Sequence, residues 1–86
     1  MNQLDVKQKK IVDFILSKVA LRTNTPIEQL TGDTLLADVG VDSLNAVMIC
    51  GYLEDEYELE IEPMIMFQHK TANHVANAVV DMLAEQ

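Results

Sequence analysis

One cysteine, Cys50, stands in the whole sequence, so neither an internal disulfide nor a cysteine-based zinc cage can form. Tryptophan is missing, and two Tyr and two Phe are the only aromatics, so any core must be aliphatic and methionine-rich. Three glycines and two prolines are few for the turns of an all-β domain. Long apolar runs are missing too. Ile15-Leu16 near the N-terminus is bounded by Asp13 and Lys18, which makes neither a signal-peptide core nor a membrane span. The widest gap is in positive charge. Residues 23–69 hold ten acids and no Lys or Arg. A stretch of that kind repels nucleic acid and anionic lipid and attracts a basic surface.

What remains is a chain of 86 residues, 49% apolar, long enough for one domain with an unaided core and too apolar to be disordered. The composition favours a small all-α domain, expected to span 1–86 as a single unit. The net charge of −8 is unevenly spread, because residues 1–22 hold five bases and two acids. A soluble, reducing, cytoplasmic setting and a monomer are expected. Met1 and the lack of linker sequence point to a free-standing chain rather than one cut from a larger protein.

Apolar spacing predicts a first helix from about Leu4 to Arg22, with Ile11, Phe14, Ile15, Val19 and Arg22 on one face. Asn24-Thr25-Pro26 ends it, since proline disfavours helix in the residue before it. Residues 23–42 read as a long loop, with one helical turn at Pro26–Leu30 and with Leu30, Leu35, Leu36 and Val39 pinning it to the core. A second helix starts at Asp42 or Ser43, capped by Asp42, and ends near Tyr57. An extended connector follows, then a short helix at Pro63–Phe67. Thr71 caps a last helix through about Leu83, with Val75, Val79, Met82 and Leu83 on one face. The expected fold is a four-helix bundle of three longer helices and one short helix, with a long loop between the first and second helices.

The second helix carries two apolar stripes. Ala46, Ile49, Cys50, Leu53 and Tyr57 form one, expected to be core. Leu44, Val47, Met48 and Gly51 form the other, rotated well away, starting beside Ser43 and running into Asp55. A helix in so small a bundle buries one stripe, so the second is read as a docking face. Glu54, Asp55, Glu56 and Glu58 at the helix end are read as exposed acids that steer a basic partner, together with Asp38 and Asp42. The methionines other than Met48 are read as core fill.

The segment Asp38-Val39-Gly40-Val41-Asp42-Ser43-Leu44 sets a small hydroxyl at the start of a helix, after a glycine turn. A helix start has free N–H groups and a positive dipole end, which suit phosphate. The run Gly40-Val41-Asp42-Ser43-Leu44 resembles the G-x-D-S-L motif of the acyl carrier proteins. Phe67-Gln68-His69-Lys70-Thr71 is similar to the F-x-H-P-T element of polyketide-synthase carriers, with Lys70 in place of proline. Leu53-Glu54-Asp55-Glu56-Tyr57 looks like the acidic end of the second helix in fatty-acid-type carriers. Peptidyl carriers more often have a second glycine at the position of Val41 and a residue other than Asp at position 42. Some carriers that undergo β-branching have a Trp where Ile49 stands here.

The resemblance implies 4′-phosphopantetheine, moved from coenzyme A onto Ser43 by a phosphopantetheinyl transferase, with Asp42 as a motif residue. The arm's thiol then holds acyl groups as thioesters, and the carrier is a substrate of its enzymes rather than an enzyme. Implied partners are that transferase and acyltransferase, ketosynthase or other synthase enzymes with basic docking surfaces, meeting Leu44, Val47, Met48, Asp38, Glu54 and Asp55. The alternatives are a peptidyl or aminoacyl carrier, and an unmodified acidic helical adaptor.

Other chemistries lack their residues. His69 and His74 are five apart and do not share a helix face, so no metal site is expected. Asp33, Asp38 and Asp42 lack the order of a calcium loop. No phosphate-binding G-x-x-x-x-G-K-[ST] run and no G-x-S-x-G elbow around Ser43 occur.

Overall fold

The structure, a computed structural model, describes residues 3–86, so Met1 lies outside the described residues. Four helices follow one another: α1 (Gln3–Thr23), α2 (Ser43–Tyr57), α3 (Ile65–Gln68) and α4 (Ala72–Ala84). No strand occurs among the described residues, and the fold is the expected small helical bundle. The α1 helix packs chiefly against α4 and also against α2. Ile11, Ile15 and Val19 of α1 meet Ala46, Ile49, Cys50 and Leu53 of α2 and Val75, Ala76 and Val79 of α4 in one core. Val12 and Leu16 are buried too, so the apolar face of α1 is wider than its spacing suggests, because two helices and the loop cover it. The sparse aromatics sit at the rim, with Phe14 edge-on to Tyr57 at 5.8 Å between ring centres.

The first helix ends where expected, but a left-handed residue ends it before the proline acts. Asn24 adopts φ 55°, and the N–H of Thr25 reaches back to the Ala20 carbonyl at 3.2 Å. Pro26 then precedes a 3-10 turn at Ile27–Gln29 rather than opening it. A second 3-10 turn, Leu36–Val39, is separated from α2 by Gly40, Val41 and Asp42.

The loop lies against the bundle. The Cα radius of gyration is 11.9 Å, close to the roughly 12 Å of a compact chain of this length. Leu30 and Leu36 are buried as pins and Val39 is half-buried, whereas Leu35 is 47% exposed and pins nothing. Its backbone does the work instead. Leu35 bridges Thr71, the Leu36 N–H bonds the Lys70 carbonyl at 3.0 Å, and the Asn73 N–H bonds the Gly32 carbonyl at 3.0 Å. A Cβ on Gly32 would collide with the Asn73 amide, so a side chain there would push that amide off its bond to Asp33 Oδ1.

The short helix begins two residues later than the proline suggests. Ile65 and Met66 bond three residues back, to Glu62 and Pro63, and four-residue bonds begin only at Gln68. Thr71 caps α4 as expected, its hydroxyl accepting from the His74 N–H at 3.2 Å. Met66 is core and Met82 half-buried, but Met64 is exposed and is not core fill.

Candidate functional site

Ser43 is the first residue of α2, and its side chain is exposed. The turn before it is built in three steps. Gly40 takes φ 100° and closes the second 3-10 turn, a conformation that a residue with a Cβ resists. Val41 is buried, and its N–H donates to the Leu36 carbonyl at 3.1 Å, anchoring the turn to the loop. Asp42 is extended, and its Oδ1 accepts from the Asn45 N–H at 2.9 Å while its carbonyl accepts from the Ala46 N–H at 2.8 Å. That N-cap stabilises α2 by about 1 kcal/mol.

The cap leaves the N–H groups of Ser43 and Leu44 without a hydrogen-bond partner among the described residues. These two donors, at the positive end of a 15-residue helix, flank an exposed hydroxyl. A phosphodiester on Ser43 Oγ fits this arrangement. The neighbouring carboxylate has an oxygen engaged in the cap, and the free amides and dipole favour the negative charge.

Asn45 completes the turn, and no sequence signal marks it. Its Oδ1 accepts from Arg22 Nε at 3.2 Å, and its Nδ2 donates to the Gly40 carbonyl at 3.0 Å. Arg22 belongs to α1, so the pair ties the start of α2 to the first helix. A helical pattern places both residues but cannot pair them.

The two stripes of α2 separate as expected. Ala46, Ile49, Cys50 and Leu53 are buried and Tyr57 is half-buried. Leu44, Val47 and Met48 are 64%, 52% and 36% exposed. Gly51 lies on the same side, and a Cβ there would meet nothing within 4 Å. Asp55 is exposed at the end of this face.

One acid differs from its reading. Glu54 is not a free surface acid: it is half-buried, and its Oε2 accepts from the Ile61 N–H at 2.9 Å, holding the connector after α2. Its backbone carbonyl also accepts from Glu58, which ends the helix in the left-handed region at φ 55°, and from Leu59. Asp38 is exposed, as its reading has it, and lies in the second 3-10 turn before α2. It lines a groove of about 280 Å³ with Leu35, Ala37, Met66, Phe67 and Lys70. A larger groove of about 470 Å³, between α1, the loop and the start of α4, contains none of the residues expected at the site.

Burial pushes the Cys50 thiol up to about 11, with the Glu54 charge adding to the shift. It is a neutral core group rather than a nucleophile. His69 is half-buried and His74 exposed, and no cluster of three metal-binding side chains occurs among the described residues. No helix of the described residues is long and apolar enough to cross a membrane.

Comparison with known proteins matches residues 13–79 to the family model described as the phosphopantetheine attachment site. The chain is similar to an acyl carrier protein of Saccharopolyspora erythraea, 32% identical over 78 residues, covering 90% of this chain and 82% of that protein. It is also similar to a non-reducing polyketide synthase of Aspergillus terreus, 29% identical over 77 residues, which is 88% of this chain. It spans only 4% of the length of that synthase. Among solved structures it is similar to a free-standing peptidyl carrier protein from an Acinetobacter baumannii secondary metabolic pathway. The TM-score is 0.85 and the identity 28%, covering 90% of this chain and 96% of that one.

Proposed function

The chain belongs to the phosphopantetheine attachment-site family, and from that membership we propose that Ser43 carries the arm and that the protein is an acyl carrier in polyketide or related fatty-acid-like biosynthesis. The family's covalent cofactor is 4′-phosphopantetheine, whose terminal thiol supplies the thioester chemistry when it is bound. The observation that carries the assignment is the position of Ser43: an exposed hydroxyl, first in a capped helix, beside two unpartnered amides. Ser17, the other serine, lies inside α1 and donates to the Phe14 carbonyl at 2.6 Å.

In this reading the chain is a substrate of its enzymes, and its residues present the serine rather than activate it. Asp42 and Gly40 hold the helix start outward. Leu44, Val47 and Met48, with Asp55 at the edge, form the face that meets the transferase and then an acyltransferase, ketosynthase or other synthase enzyme with a basic surface. The whole chain acts as one carrier domain, monomeric and cytoplasmic, with no role at nucleic acid or membrane.

Similarity to the acyl carrier protein and to the polyketide synthase supports an acyl cargo. Likeness to the free-standing peptidyl carrier favours a second reading, an aminoacyl cargo. The two separate by which activating enzyme charges the modified protein. The assignment of Ser43 is tested by incubating the apo protein with coenzyme A and a broad-specificity phosphopantetheinyl transferase. The wild type should gain one phosphopantetheine mass, and Ser43→Ala should stay folded and gain none. Modification that persists in Ser43→Ala overturns it.

A further inference from the structure

The turn that presents Ser43 contains a left-handed glycine whose missing Cβ has only the Thr23 side chain within 4 Å, at 3.8 Å. Such a turn has backbone freedom that must be restrained from elsewhere. Asn45 supplies the restraint. Its three hydrogen bonds, to the Gly40 carbonyl, to Asp42 Oδ1 and from Arg22 Nε, bracket Ser43 on both sides and run to a different helix. The orientation of its side chain is dictated by the partners. Arg22 can only donate and the Gly40 carbonyl can only accept, so the amide oxygen must face the guanidinium and the amide nitrogen the carbonyl. No other residue type of this length offers both at once: Asp keeps the bond from Arg22 and sets a carboxylate against the Gly40 carbonyl, and Leu keeps neither.

We propose that Asn45, held by Arg22, is a positioning residue for modification at Ser43. It fixes the Gly40–Asp42 turn so that the Ser43 hydroxyl is presented in one geometry to the transferring enzyme. This rests on Ser43 being the modified residue. Group transfer is sensitive to small misplacements, and an error on the order of 1 Å lowers a rate by about 100-fold. The docking face, Leu44, Val47 and Met48, does not depend on the amide, so the effect falls on the chemical step and not on association.

The test uses the apo protein, coenzyme A and a broad-specificity transferase, with kcat and KM for the carrier measured separately. Asn45→Ala should lower kcat by about 10- to 100-fold and leave KM within about twofold. Hydrogen exchange of the Val41 and Asn45 amides should quicken in the unmodified variant, a change independent of any enzyme. Asn45→Asp, which keeps the bond from Arg22, should fall between. Arg22→Met, which keeps the apolar stem, should lower kcat in the wild-type background and add nothing in Asn45→Ala. A merely structural role would reduce the folded fraction and leave kcat per folded molecule unchanged. A folded Asn45→Ala that loads at the wild-type kcat overturns the proposal. So does an Arg22→Met penalty that is equal with and without Asn45. If Asn45→Ala does not fold, Arg22→Met decides alone, and an unchanged kcat overturns the proposal. Failure of the Ser43 assignment looks different: Ser43→Ala still accepts the group, and the proposal falls with it.

Discussion

Cys50 is the residue where burial and charge act in the same direction. It is 1% exposed, and its thiol is raised to about 11 by desolvation first and by the Glu54 carboxylate second. The folded state therefore holds the thiol proton more tightly than the unfolded chain, whose cysteine titrates near 9. Stability from this group is complete below pH 9 and is lost as pH rises toward 11, by roughly 2 to 3 kcal/mol. Denaturant unfolding of wild type and Cys50→Ala across pH 8–11 checks this, and the gap between them should shrink at the alkaline end. Alkylation of the native thiol should also be much slower than in denaturant. An equal rate would move Cys50 out of the core. The burial of this residue was legible in the sequence from its stripe. The hydrogen-bonding role of Asn45 was not, because an amide at a helix start reads as ordinary until α1 brings Arg22 to it.

At the scale of elements, α1, α2 and α4 were legible because each announces itself locally. Apolar spacing gives their length, and Asp42 and Thr71 give two of their starts. The loop was legible as a loop but not in its attachment. Leu35 looks like a pin by composition, yet the backbone of that segment pairs with Lys70 and Thr71, and such pairing has no side-chain signature. Likewise Pro63 suggests a helix start that the three-residue bonding of Ile65 and Met66 delays. The prediction for α2 concerns its outer face. Val47→Ser and Met48→Ser should each change stability by less than about 0.5 kcal/mol, since neither side chain is core. Both should weaken transferase loading, by about tenfold if these side chains anchor the contact. Thermal melts and loading kinetics on the same samples read both effects. A loss of several kcal/mol in either variant would make this face part of the core.

Charge is the property of the whole molecule that matters most for partners. The net charge of −8 is concentrated after residue 22, while α1 holds five of the six bases. Encounter with a basic enzyme should slow as salt rises, because exposed charges are screened beyond a Debye length of roughly 10 Å at 0.1 M. Two acids that look alike in sequence should then differ. Asp55→Lys should slow association and alter stability little, as an exposed acid. Glu54→Lys should also lose the bond to the Ile61 N–H and destabilise the fold by about 2 kcal/mol. Stopped-flow association and urea melts separate them, and salt-independent association would remove the steering argument. The same charge gap makes the central claim directly measurable. Trypsin cuts after Arg22 and Lys70 and has no site between them, so residues 23–70 leave as one fragment with Ser43 as its only serine, while Ser17 leaves in residues 11–18. After loading of the wild type, fragmentation mass spectrometry should place a single phosphopantetheine on the 23–70 fragment, at Ser43. Its appearance on another residue, or the absence of any loading, would contradict the account.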